Sequence, residues 1–186
     1  MYVKYLGTKG NWREVADAAN TTIHKEAGTK EPSSIWKTKI LLAEHSPIRQ
    51  LFFRFKFYEL KYWVSVHLVR HKVGIEHWVR TQRSDRTGTN RDELPQGNLV
   101  EHEILVNAQA LINISRKRLC KNAAKETKEA WQALLDTIKE KEPELYSVYV
   151  PDCVYRGWCY EYKSCGYFKT EEFKERLKKY REGINE

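Results

Sequence analysis

In Gln50-Leu51-Phe52-Phe53-Arg54-Phe55-Lys56-Phe57-Tyr58, large apolar side chains recur at every second position. Leu51, Phe53, Phe55 and Phe57 share one face, with Arg54 and Lys56 on the other, which indicates a half-buried antiparallel strand. Towards the N-terminus, Tyr2–Leu6 alternates as a short strand ended by Gly7 and Gly10. Asn11 to about Lys25 reads as a helix with Trp12, Val15, Ala16, Ala19 and Ile23 on one side. After a loop over 28–32, Ser33 or Ser34 caps a helix running to about Glu44, and His45-Ser46-Pro47 ends it.

Towards the C-terminus, residues 59–71 take a helical period through Leu60, Val64, His67 and His71, and 75–83 reads as a second strand. A polar loop over 83–97 leads to a long helix expected from Leu99 to about Leu119, with Ile104, Ala108, Leu111, Ile112, Ser115 and Leu119 on its core face. A further helix runs from Ala123 to Lys141, where Pro143 stops it. The Cys- and Tyr-rich segment 146–168 reads as irregular, and 170–182 as a polar terminal helix. This order predicts one α+β domain over residues 1–186, an antiparallel sheet packed against long helices.

With 186 residues, 41% of them hydrophobic, the chain can bury a core. Its net charge of +8 calls for an anionic partner, a nucleic-acid polymer or a small phosphorylated ligand. No leader-like apolar run opens the chain and no stretch is long enough to cross a bilayer, so a cytoplasmic protein without membrane contact is expected. In that reducing compartment the four cysteines, Cys120 and the series Cys153-x5-Cys159-x5-Cys165, suggest a zinc ion or an iron–sulfur cluster. The spacing is not Cys-x2-Cys, and unliganded thiols are the alternative.

The charge concentrates in Leu68-Val-Arg-His-Lys-Val-Gly-Ile-Glu-His-Trp-Val-Arg-Thr-Gln-Arg83. Arg70, Lys72, Arg80 and Arg83 gather there with Glu76 as the only carboxylate. Bringing such cations together is costly unless an anion, typically phosphate, neutralises them. Interleaved His71, His77 and Trp78 suit a nucleotide or flavin pocket, and a solvated basic face is the plainer reading. His67 and His71 lie one helical turn apart and are read as packing or ligand-facing. Asn107, Leu111, Ile114 and Arg118 form a stripe whose polar ends would sit at a pocket's edges. The alternative is that Arg116, Lys117 and Arg118 complement a helix C-terminus. Without a glycine-rich phosphate loop, any cofactor must be held by side chains.

Three segments carry a family resemblance: His45-Ser-Pro-Ile-Arg-Gln-Leu-Phe-Phe-Arg-Phe55, Val66-His-Leu-Val-Arg-His-Lys72 and Thr81-Gln-Arg83. With the helix Asn107–Arg118, they resemble the flavin-dependent thymidylate synthases over roughly residues 40–135. The resemblance implies a homotetramer with FAD held between subunits. It also implies methylation of dUMP, or a close pyrimidine relative, with methylenetetrahydrofolate as carbon donor and NADPH as reductant. Carried over by position, Arg70, His71 and Lys72 would meet the flavin and nucleotide, and Asn107 and Asn113 the flavin region. Thr81 and Arg83 would hold nucleotide phosphate, with Arg80 as the alternative occupant of the first slot and His67 beside the substrate. Arg118 would contact the pyrimidine and act catalytically. Lys72, Thr81, Ser84 and Gln50 stand where the family pattern has Arg, Ser, Tyr and His, and the cysteine cluster has no counterpart in it. Alternative readings are a homologue with the same pocket and different one-carbon or redox chemistry, and a non-catalytic nucleic-acid-binding module.

Overall fold

The computed structural model describes residues 1–185. Its elements are β1 (Tyr2–Lys9), α1 (Trp12–Thr21), α2 (Ser34–Leu42), β2 (Phe52–Lys61), α3 (Tyr62–Leu68), β3 (Ile75–Val79), α4 (Ser84–Thr87), β4 (Leu99–Asn107), α5 (Ala108–Arg118), α6 (Lys125–Asp136), α7 (Pro143–Ser147), α8 (Asp152–Arg156) and α9 (Glu171–Asn185). The strands form one antiparallel sheet in the order β1-β2-β4-β3. The α+β architecture expected from the sequence is the one found.

The sheet is built as the phenylalanine alternation requires. Phe53, Phe55 and Phe57 are fully buried and lie opposite Val106, Ile104 and His102 of β4. On the other face Arg54 pairs with Glu103 at 2.5 Å and Lys56 with Glu101 at 2.6 Å. α6 covers the apolar side, touching β1, β2, α3 and α5, and its buried Trp131 donates to Ser115 Oγ of α5 at 2.9 Å. Val150, Val154, Tyr167 and Phe173 form a second, smaller apolar cluster apart from the main core.

Several sequence expectations are corrected. Leu99–Asn107 is a strand, and the helix begins only at Ala108. Val100, His102, Ile104 and Val106 are all buried, a period of two that competes with the helical spacing of Ile104, Ala108 and Leu111. Pairing with β2 and β3 on both sides decides it. Residues 59–61 extend β2 rather than opening a helix. Glu59, with φ 53°, sits at a bulge between Phe57 and Leu60 that turns both apolar side chains inward. α3 stops at Leu68, so His71 lies in a turn and not one helical turn beyond His67 on a shared face. β3 ends at Val79 instead of Arg83, α1 ends at Thr21, and α6 spans only Lys125–Asp136. Pro143 starts α7 as its first residue, where the missing N–H costs nothing. Within 146–168, α8 is regular, and the terminal helix begins at Glu171 and reaches Asn185. Ser33 is the residue that caps α2, accepting from Trp36 N at 3.2 Å.

The junction between β4 and α5 fixes the turn that precedes β3. Asn107 caps α5 by accepting from Ala110 N at 2.8 Å, and its own N–H donates to Gly74 O at 2.9 Å. Gly74 has φ +71°, and a Cβ there would stand 2.6 Å from the Asn107 amide nitrogen. Two separate demands therefore require glycine. Gly74→Ala is expected to lower the free energy of urea unfolding by about 2–3 kcal/mol, the sum of left-handed strain and a disturbed cap. A loss below about 0.5 kcal/mol, a surface-like value, would show that the turn can relax.

Candidate functional site

The Arg70-His71-Lys72 triplet occupies the turn between α3 and β3, held from two sides. Arg118, the last residue of α5, reaches across to it: Nε–H donates to His71 Nε2 at 2.9 Å and Nη2 to the His67 carbonyl at 2.6 Å. From β3, His77 Nε2 lies 2.8 Å from the His71 carbonyl, and His77 Nδ1 lies 3.0 Å from His102 Nε2. A carbonyl oxygen only accepts, so His77 donates from Nε2; in the tautomer that completes the chain it accepts at Nδ1 from the Nε2–H of His102. His102 Nδ1 is then a bare lone pair, buried with no hydrogen-bond partner among the described residues. His71 likewise must present a lone pair at Nε2 to receive the Arg118 proton.

The electrostatics agree with this tautomer chain. Burial, then the charges of Arg118, His77 and Arg70, push His71 down to about 4. Burial, then His77, does the same to His102. Burial and the neighbouring Arg70 also lower Arg118 from its ordinary value. At neutral pH the His71 and His102 rings are uncharged, and the guanidinium groups and Lys72 carry positive charge at the turn. Arg70 and Lys72 are exposed, and neither forms an ion pair with a carboxylate among the described residues.

The remaining sequence-derived residues divide into three groups. His67 is turned inward: Nδ1 pairs with buried Thr127 Oγ1 at 2.8 Å and its ring packs edge-on against Trp63. It also supports the turn through its carbonyl, which accepts from Arg118. Asn107 is the buried cap described above. Asn113 is exposed on another side of α5, accepting from Arg116 at 3.2 Å beside the Arg116–Glu44 ion pair. Arg80, Thr81 and Arg83 lie beyond the far end of β3, about 13 Å or more from its start at 3.4 Å per residue. They line an open hollow of about 520 Å³ with Tyr62, Arg91 and Pro95. Arg83 is held in a two-pronged contact with Asp85 at 2.9 and 2.8 Å, and Arg80 approaches Glu101 at 3.8 Å.

A larger concavity, about 710 Å³, lies elsewhere, between α1, α2 and the turn Ser46–Gln50. It is lined by Trp36, Lys39, His45, Ser46, Pro47 and Arg49 among others, and no residue of the Arg-His-Lys turn reaches it. This concavity and the basic turn are thus separate features of the fold, and the histidine chain belongs to the α3–β3 turn.

All four cysteines line one small cavity. As their side chains stand, no group of three or more His, Cys, Asp or Glu among the described residues is arranged to hold a metal ion. A ready-made coordination shell is thus not what the cysteine spacing produced. His102 escaped the sequence reading altogether. With 99–107 taken as a strand, it is the one polar side chain pointing inward between Val100 and Ile104, and that signal was present in the alternation.

Because the half-buried His71 and the buried His102 are both neutral in the fold, the unfolded chain takes up protons first as pH falls below the ordinary value of 6.5. Their contribution to stability is complete above that pH and is lost as pH falls towards about 4. Urea midpoints are expected to drop across this window, and His102→Phe should flatten the dependence. An identical slope in the variant would show that His102 is not buried neutral.

No helix among the described residues is long and apolar enough to cross a membrane. No family model matches the chain, and no curated protein matches its sequence. Solved structures do match. A Helicobacter pylori flavin-dependent thymidylate synthase, ThyX, complexed with FAD and dUMP aligns with TM-score 0.67 at 14% identity, covering 81% of this chain and 100% of the other. A second structure of that enzyme with FAD and dUMP gives 0.65 at 14% identity, covering 78% and 97%. The UMP/dUMP methylase PolB from Streptomyces cacaoi, bound with 5-Br dUMP, gives 0.63 at 12% identity, covering 78% and 93%. The chain therefore has the fold of the flavin-dependent thymidylate synthases, with the Arg-His-Lys turn buttressed by the end of α5.

Proposed function

We propose that the protein is a flavin-dependent nucleotide methyltransferase, with dUMP or a close pyrimidine relative as acceptor. The observation that carries this reading is the turn itself. Arg70 and Lys72 project, without carboxylate partners among the described residues, from a backbone clamped by Arg118 and His77, within a fold shared with an enzyme solved with FAD and dUMP. Cations on a clamped backbone suit recognition of a phosphate or pyrophosphate, because the backbone's ordering is completed before the ligand arrives. A flavin nucleotide fits this donor set, since the chain has no glycine-rich phosphate loop and must use side chains.

When bound, FAD would supply the redox chemistry, with methylenetetrahydrofolate as carbon donor and NADPH as reductant. The chain's own residues would bind and orient. Arg70 and Lys72 would neutralise phosphate, and neutral His71 would remain an acceptor for Arg118. With Nε and Nη2 of Arg118 engaged by the turn, contact with a pyrimidine carbonyl would fall to Nη1. A cation there would favour the charge that develops on the ring oxygens as C5 becomes nucleophilic. Arg80, Thr81 and Arg83 would hold nucleotide phosphate. Their place at the opposite end of β3 supports a site completed by a second copy of the chain, as in a homotetramer. Asn107 would act as a support, and Asn113 would face the cofactor region only across such an interface.

The visible spectrum of the protein with added FAD tests the reading. The expected result is a bound-flavin spectrum that bleaches with NADPH and shifts on adding dUMP, with dTMP formed when methylenetetrahydrofolate is present. A chain that leaves the spectra of FAD and dUMP mixtures unchanged would overturn it. Arg70→Ala should weaken FAD or dUMP binding by about 1.5–3 kcal/mol, the usual worth of a charged hydrogen bond. Unchanged affinity for both would remove Arg70 from the site.

A further inference from the structure

We propose that Cys120, Cys153, Cys159 and Cys165 form a tetrathiolate site for one zinc-class divalent ion, which ties the last third of the chain to the end of α5. The four cysteines come from three places: Cys120 just beyond α5, Cys153 in α8, and Cys159 and Cys165 in the loop before the turn at Tyr167. They are all the cysteines the chain has, and all four line one cavity of about 20 Å³. That is room for about one water-sized occupant, which suits a single ion and not an iron–sulfur cube. Four thiols are a soft donor set, and zinc takes it as a closed tetrahedron.

The backbone N–H groups of Asn122 and Val154 are directed at the Cys120 and Cys153 sulfurs, although burial raises both thiols above their ordinary value. Lys121, which also lines the cavity, is engaged by Glu172 at 3.5 Å. Asp152 and Glu161 face the cavity too, but Asp152 is already approached by Lys117 at 3.8 Å and Arg156 at 3.5 Å. Closing the shell requires side-chain rotation, and one step in χ1 carries a sulfur about 3 Å.

The fold supplies a reason for the clip. The segment holding three of these cysteines has a small cluster of its own, Val150, Val154, Tyr167 and Phe173, and joins the rest of the fold through packing of α8 on α5 and α9 on α2. Cores that small commonly need a cross-link or a metal. Cys120 follows Arg118 by two residues, so the ion would also fix the helix end from which that guanidinium reaches the Arg-His-Lys turn. The site does not depend on the nucleotide reading, and its test uses no flavin, nucleotide or activity.

The experiment is elemental analysis of the full-length chain, purified without chelator or histidine tag, followed by Co(II) titration of chelator-stripped protein. One zinc per chain is expected. Co(II) should give a thiolate charge-transfer band and the strong visible bands of tetrahedral cobalt, and the ion should protect all four thiols from a thiol reagent. Cys159→Ser should weaken Co(II) and Zn(II) binding at least about tenfold, since even outer-shell partners of a metal are worth that much. Cys165→Ser, at the more exposed position, serves if the first variant does not fold. Bound iron with inorganic sulfide would overturn the single-ion site. So would a mass deficit showing disulfides, or Co(II) that leaves the four thiols reactive and produces no charge-transfer band.

Discussion

The contact between Asn107 and Gly74 is the constraint on which the rest of the structure depends. Asn107 ends the central strand β4, caps α5, and presses its amide against a glycine that has no room for a Cβ. That contact sets where α5 starts, and hence where its last residue, Arg118, arrives. Arg118 then returns to the same turn, donating to His71 and to the His67 carbonyl. The turn over 69–74 is therefore gripped at both ends by one strand–helix unit, with β3 contributing His77 from below. A basic turn held this way keeps its shape when ligand is absent.

Charge is handled differently within this small region. The rings of His71, half-buried, and His102, buried, stay neutral beside cations or another imidazole, while Arg70 and Lys72 are exposed to solvent. Arg118 spans the two regimes, half-buried and lowered from its usual value yet committed to two acceptors. Burying a guanidinium is tolerable when its N–H groups are matched, and a neutral imidazole is a suitable match. The polar network thus organises positive charge on the surface without leaving one stranded in the core.

Much of this was legible in the chain. Phe53, Phe55 and Phe57 mark β2, Ser33 marks the start of α2, and Arg70 to Lys72 stand out by composition alone. The segment 99–119 was misread because Ile104, Ala108, Leu111 and Ser115 satisfy a helical period while Val100 to Val106 satisfy a strand period. Local pattern cannot choose between them. Cross-strand pairing with Phe53, Phe55 and Phe57 makes the choice, and it moves Asn107 from a helix face to a cap. His102 was lost with it, since a histidine in a helix raises no question that a histidine inside a sheet does.

By itself the sequence determined which segments carry apolar faces, that basic residues concentrate around Arg70, and that three of the four thiols are close together along the chain. Those properties follow from side-chain chemistry and short-range periodicity, which a chain carries before it folds. Only the tertiary structure decided that His71 leaves its helix, that His77 and His102 share a proton chain, and that Arg83 is clamped by Asp85 far from the Arg-His-Lys turn. It also decided that Cys120 meets the three later cysteines around one cavity. The histidine, arginine and cysteine groupings depend on contacts between residues 25 to 51 positions apart in sequence, and packing of the sheet against its helices is what brings such positions within reach.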